Sequence, residues 1–237
     1  MKTVIINGFR RGGTSLLWNM LCSIKGASTL TLHRNNRQEN VEMGEYFAKK
    51  NENDFKEQAK ATPLLIVKGV DDDIKYNSLI KQYSEQVFEI GLLRSRFAVC
   101  ESWVRRGHTL EEFIEKYNKF IDDLKANKNN LVQFNKLVAS PFYALEKICQ
   151  FINEPCPVNV TIMSKYIWKN AHTRGPAFNN VGDFITFPFG DLKLSTDYID
   201  CNIDQRHEKN LSSVLRDYVE TACKDYTTEF NSSLYIL

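Results

Sequence analysis

The stretch from Thr3 to Leu21 constrains the fold more than any other part of the chain. A short apolar run, Thr3-Val4-Ile5-Ile6, leads into a glycine-bearing turn and then into Leu16-Leu17-Trp18-Asn19-Met20-Leu21, whose composition favours a helix. Gly8 and Gly13 have the separation of the two glycines in GxxxxGK[ST]. Such a loop wraps a phosphate with backbone N–H groups at the start of a helix, where the helix dipole also favours an anion. Strand, anion-cradling loop and helix in that order predict an α/β protein.

Later segments extend the alternation. Pro63 introduces Leu64-Leu65-Ile66-Val67-Lys68, a continuous apolar run typical of a strand buried on both faces of a parallel sheet, and Gly69 ends it. A helix is expected from Ile74 to Tyr83, a strand over Val87 to Leu93, and a helix from there through Trp103. The stripe Phe113, Ile114, Tyr117, Phe120, Ile121 and Leu124 predicts an amphipathic helix from Leu110 to Ala126. Asn130 to Phe134 reads as another strand, Ser140-Pro141 as the opening of a helix that runs to Ile152, and Glu208 to Phe230 as a last helix. From Ser28 to Lys60 only a charged helical stretch with Phe47 and Phe55 stands out, and Cys156 to Asp204 reads as loops and lids. The pattern predicts one domain over residues 1–237, three layers in the order α/β/α around a central, mostly parallel sheet.

Charge and cysteine usage narrow the function. Lys and Arg number 31 against 29 Asp and Glu, a net charge of +2, which points to neither nucleic acid nor a membrane surface as partner, so any anion site is local. No apolar run is long enough for a membrane span or a signal peptide. The six cysteines are scattered without CxxC or Cys/His ligand spacing, which favours reduced thiols, a cytoplasmic location and no metal.

The glycine loop departs from the triphosphate-binding pattern at the decisive position. A nucleotide triphosphatase needs Lys directly after the second glycine to reach the β- and γ-phosphates; here Thr14-Ser15 follow Gly13, and the cation is Arg11, before it. That arrangement suits one phosphate bearing a sulfuryl group, held by hydroxyls and amides while a cation approaches the bridging oxygen. Arg10-Arg11-Gly12-Gly13-Thr14-Ser15 resembles the 5′-phosphosulfate loop of PAPS-dependent sulfotransferases, commonly Pro-Arg/Lys-Ser-Gly-Thr-Thr/Ser, with Arg10 in place of proline and Gly12 in place of serine. Leu92-Leu93-Arg94, with Ser102-Trp103 downstream, is similar to the same family's strand-end Arg and its Ser eight residues later. Leu65 to Lys68 also resembles the family's second strand, and the likeness covers residues 1–155 better than the rest.

The resemblance implies a P-loop NTPase-like fold and 3′-phosphoadenosine 5′-phosphosulfate (PAPS) as donor, with adenosine 3′,5′-bisphosphate as product. It implies that Arg10, Arg11, Gly12, Gly13, Thr14 and Ser15 surround the 5′-phosphosulfate, that Arg94 and Ser102 hold the 3′-phosphate, and that Arg174-Gly175 cover the 3′-phosphate and adenine. Arg11 is then the residue that meets charge on the departing phosphate, and Lys68 can approach donor or acceptor. Relatives often supply a Glu base soon after the first helix; Glu42 and Glu45 both fit, and spacing does not choose between them. Asp71-Asp72-Asp73 reads first as a helix N-terminal cap and second as a reserve for the base. The acceptor is a hydroxyl or amine of a small molecule or glycan. Two rivals remain open: a P-loop kinase of a small metabolite, with Asp71 to Asp73 on magnesium, and a nucleotide-binding module without turnover.

Overall fold

A computed structural model describes residues 1–34, 37–163, 184–190 and 205–237. The strands β1 (Lys2–Gly8), β2 (Ala27–Ser28), β5 (Leu64–Val70), β6 (Gln86–Leu93) and β7 (Asn130–Gln133) form one sheet in the order β2-β5-β1-β6-β7. Every pairing in it is parallel. A two-stranded antiparallel hairpin, β3 (Thr31–Arg34) and β4 (Arg37–Asn40), stands apart from it.

The apolar runs explain the layers. Val4, Ile5 and Ile6 are all fully buried, and successive side chains on a strand point to opposite faces. Val4 and Ile6 pack with Leu17, Trp18 and Leu21 of α1 (Thr14–Cys22) and with the helices α7 (Phe134–Ala139) and α8 (Pro141–Phe151). Ile5 faces the other way, onto a cluster shared by α2 (Met43–Phe47), α3 (Glu52–Lys60) and α4 (Asn77–Gln82). Leu93 and Leu131 meet α5 (Arg96–Val104) and α6 (Leu110–Ala126). The result is the expected three-layer α/β/α architecture. The α6 stripe forms with the expected bounds, opened by Thr109, whose side chain accepts from the Glu112 N–H.

Register places the functional end of the sheet. Gly8 lies opposite Val70 on one side and Leu92 on the other, so β1, β5 and β6 finish level. After β1 the chain builds outward on one side and returns to extend the sheet on the other. The loops leaving these strands therefore cluster at the crevice where connections diverge, the usual ligand position in an open α/β sheet. At the far edge, Tyr235 bridges Leu131 in parallel and the Ile236 N–H donates to the Leu131 carbonyl, which covers part of an otherwise open strand.

Several expected boundaries change. The helix expected over Ile74 to Tyr83 is a 3-10 turn, Asp71–Tyr76, followed by α4. The last helix divides into Arg206–Asn210, Ser213–Ala222 and Tyr226–Glu229. Ser212 accepts from the Leu215 N–H and Asp225 from the Thr227 N–H, so each polar side chain starts a new helix inside the expected one. Phe134 opens α7 instead of closing β7. Within the segment read as loops and lids, Asn159–Met163 and Phe184–Pro188 pair as an antiparallel hairpin. Among the described residues no helix is long and apolar enough to cross a membrane.

Candidate functional site

The site begins with the turn after β1. Phe9 is buried among Trp103, Phe113, Tyr117 and Phe120, with ring centroids between 5.4 and 5.8 Å, and so anchors the base of the loop. The Gly12 N–H donates to the Phe9 carbonyl at 2.8 Å. A side chain at Gly12 would place its Cβ 2.7 Å from that same carbonyl oxygen, which accounts for glycine where the sulfotransferase loop commonly has serine. At Gly13, φ is +90° and an added Cβ would meet the Phe134 ring at 2.1 Å. α1 starts directly after Gly13, with no side-chain cap and no acidic residue in its first turn. Its leading amides thus face the loop, the arrangement that seats an anion.

Arg94 and Ser102, expected together at a 3′-phosphate, both engage Arg11 in the structure. Arg94 Nη1 donates to the Arg11 carbonyl at 2.8 Å, and Arg11 Nε donates to Ser102 Oγ at 3.0 Å. The Arg94 guanidinium also lies 4.7 Å from the centroid of the Phe134 ring. Burial pushes the Arg11 pKa down to about 10, and the charges of Arg106, Arg105, Arg94 and Arg10 push in the same direction. Cations crowded this closely are relieved by an anion. Arg105 and Arg106, at the end of α5, belong to this cluster although no motif singled them out.

Lys68 stands on β5, with a side chain only 1% exposed. A buried ammonium requires partners, and Lys68 has three. Its Nζ donates to Ser15 Oγ at 3.2 Å, lies 2.7 Å from Glu42 Oε1, and sits 4.6 Å from the centroid of the Trp18 ring. Trp18 is itself fixed by donating from Nε1 to Thr29 Oγ1 at 3.1 Å. Spacing left Glu42 and Glu45 open; the carboxylate that the fold brings to Lys68 is Glu42, at the N-cap of α2, while Glu45 lies in the first turn of that helix.

The three consecutive aspartates separate. Asp71 Oδ1 accepts from the Arg10 N–H at 2.7 Å, and Oδ2 lies 3.1 Å from Arg10 Nε. Asp72 pairs with Lys119 at 2.8 Å. Asp73 accepts from the N–H groups of Val70, at 3.0 Å, and Gly44. A Cβ on Gly44 would lie 2.2 Å from the Asp73 carboxylate, so glycine lets the start of α2 approach the end of β5. Burial raises the pKa of Asp73, and these two hydrogen bonds oppose the rise. Asp73 thus performs the capping role expected of the run and also ties the element carrying Glu42 to the strand carrying Lys68. Magnesium would need ligands that converge, whereas these carboxylates face three different partners. Among the described residues no three His, Cys, Asp or Glu side chains form a group suited to a metal ion. Arg174 and Gly175 lie outside the described residues.

No family model matches the chain, and no curated protein matches it in sequence. Similar solved structures do exist. The sulfotransferase domain from the Synechococcus PCC 7002 olefin synthase matches over 95% of both chains, with a TM-score of 0.51 and 18% identity. The sulfotransferase domain from the curacin biosynthetic pathway matches over 92% of this chain and 95% of that one, with a TM-score of 0.52 and 15% identity. The chain therefore shares the three-layer α/β fold of these two sulfotransferase domains.

Proposed function

We propose that the chain is a PAPS-dependent sulfotransferase, moving a sulfuryl group from 3′-phosphoadenosine 5′-phosphosulfate to a hydroxyl or amine of a small-molecule or glycan acceptor. The observation that carries this reading is the polar chain from Glu42 through Lys68 to Ser15, which ends on the loop that also carries Arg11. On this reading Glu42 is the base, Lys68 a buried cation beside Ser15, and Arg11 a second cation on the same phosphate-type loop. The sulfotransferase fold supports the same reading. The described cysteines are free thiols, which fits a reducing, cytoplasmic compartment.

Each residue then has a role. The loop amides from Gly13 to Ser15 and the hydroxyls of Thr14 and Ser15 hold the 5′-phosphate. In the transfer, the acceptor's oxygen or nitrogen forms a bond to sulfur as the bond from sulfur to the phosphate oxygen breaks. The leaving phosphate keeps the electron pair, and the acceptor's proton passes to the Glu42 carboxylate. Arg11 stabilises the charge that grows on the leaving phosphate. Lys68 holds Glu42 toward the loop and supplies a second positive charge beside Ser15. Arg94 and Ser102, in the cationic cluster with Arg11, receive the 3′-phosphate.

The 3′-phosphate assignment is tested by Arg94→Ala. The expected result is a loss of roughly 10–100-fold in affinity for adenosine 3′,5′-bisphosphate, the size of one hydrogen bond to a charged group, with a much smaller change for adenosine 5′-phosphate. Equal weakening of both nucleotides would assign Arg94 to support of the Arg11 carbonyl alone. The kinase alternative lacks the Lys that should follow Gly13, and its three aspartates diverge.

A further inference from the structure

Arg11 is a non-glycine residue with φ +73°, a left-handed conformation that costs on the order of 1–3 kcal/mol unless its surroundings hold it. One side of that hold has been described: Arg94 on its carbonyl and Ser102 on its side chain. The opposite side is Asp71, which leaves the end of β5 with φ +52° and aims its carboxylate at the neighbouring residue, Arg10. Asp71 is 10% exposed, and the Arg10 side chain is 50% exposed. An ion pair with so exposed an arginine is screened and contributes little. The 2.7 Å bond from the Arg10 N–H is therefore the stronger part of the contact. It uses a backbone donor that proline, common at this place in the sulfotransferase loop, does not have.

We propose that Asp71 is a positioning residue for the transfer reaction: through the Arg10 N–H it fixes the turn of the loop and so keeps Arg11 at the donor. This rests on the sulfotransferase reading for its effect on turnover. The contact also removes the Arg10 N–H from the anion cradle, and the Gly12 N–H is taken by the Phe9 carbonyl, which leaves that task to the amides from Gly13 onward. Loss of the carboxylate leaves the loop anchored at Phe9 and by Arg94 but released between them, and displacement of a reacting group by about 1 Å costs on the order of 10²-fold in rate.

Two variants test this. Asp71→Gly removes the carboxylate and suits the positive φ, so it does not add backbone strain. Asp71→Asn keeps an acceptor oxygen for the Arg10 N–H, and Asn also tolerates that conformation. Turnover is followed as transfer of ³⁵S from labelled PAPS to a pooled set of sugars, phenols and amines. Affinity for adenosine 3′,5′-bisphosphate is measured by calorimetry, and hydrogen exchange of the Arg10 amide is read by NMR. Asp71→Gly is expected to lower kcat by about 10–100-fold, with nucleotide affinity within about threefold of wild type and the Arg10 amide exchanging freely. Asp71→Asn is expected to keep amide protection and most of the turnover. Wild-type turnover in Asp71→Gly, or an equal fall in both variants, would overturn the assignment. If the wild-type protein transfers no sulfate, the sulfotransferase reading fails, and the exchange comparison still decides the contact: protection lost only in Asp71→Gly supports it, and protection unchanged in that variant rejects it.

Discussion

Arg11→Ala is expected to lower kcat by about 10²–10³-fold, the usual consequence of removing one preorganised donor from developing negative charge, while affinity for adenosine 3′,5′-bisphosphate changes far less. The reason lies in what Arg11 faces at each stage. In the proposed mechanism the amides from Gly13 to Ser15 and the hydroxyls of Thr14 and Ser15 hold the phosphate in the ground state, whereas charge accumulates on the bridging oxygen only as sulfur departs. Arg11 is also partly desolvated and surrounded by Arg94, Arg105, Arg106 and Arg10, so an anion beside it interacts through a poorly screened field. Removing one of several like charges even relieves repulsion in the empty protein, which limits the loss of binding. Turnover equal to wild type in the ³⁵S transfer assay would remove Arg11 from the mechanism.

Glu42→Gln is expected to reduce kcat by about 10²–10⁴-fold, the range for loss of a general base. A second effect accompanies it. Lys68 is almost wholly buried and would keep Ser15 and the Trp18 ring but lose Glu42, its carboxylate partner among the described residues. Breaking a fully buried pair costs about 3–5 kcal/mol; Glu42 is 31% exposed and the amide oxygen can still accept from Lys68, so about 1–2 kcal/mol is expected in denaturant unfolding. The two readouts separate chemistry from support: a stability loss with unchanged kcat would make Glu42 a structural partner of Lys68. A larger kcat loss in Glu45→Gln than in Glu42→Gln would move the base to Glu45.

Much of this site is written locally in the chain. The strand, loop and helix from Lys2 to Cys22 are adjacent in sequence, and β5 reads plainly because both its faces are buried. Arg94 follows the end of β6 and Ser102 lies on the helix after it, so the two are near in sequence, and each contacts Arg11. The contacts that complete the site are not local. Asp71 meets Arg10 across 61 positions, in a backbone conformation that residue type alone does not announce. That Glu42 meets Lys68 depends on how Asp73 and Gly44 dock α2 against β5, which no periodicity records. The hairpin β3–β4 has strands of only four residues each, too short to show an alternating pattern. Gly12 looked like a missing hydroxyl in the sequence and proves to be a steric requirement of the Phe9 carbonyl.

Whether PAPS is the donor is decided by a nucleotide titration. The purified protein is titrated calorimetrically with adenosine 3′,5′-bisphosphate and, separately, with ATP plus Mg²⁺. Saturable binding of the bisphosphate, at least about tenfold tighter than ATP, is expected, because Arg94 and Ser102 are proposed to receive a 3′-phosphate while the position after Gly13 holds Thr14 instead of the Lys that reaches a γ-phosphate. Tight binding of ATP–Mg²⁺ with none of the bisphosphate would contradict it.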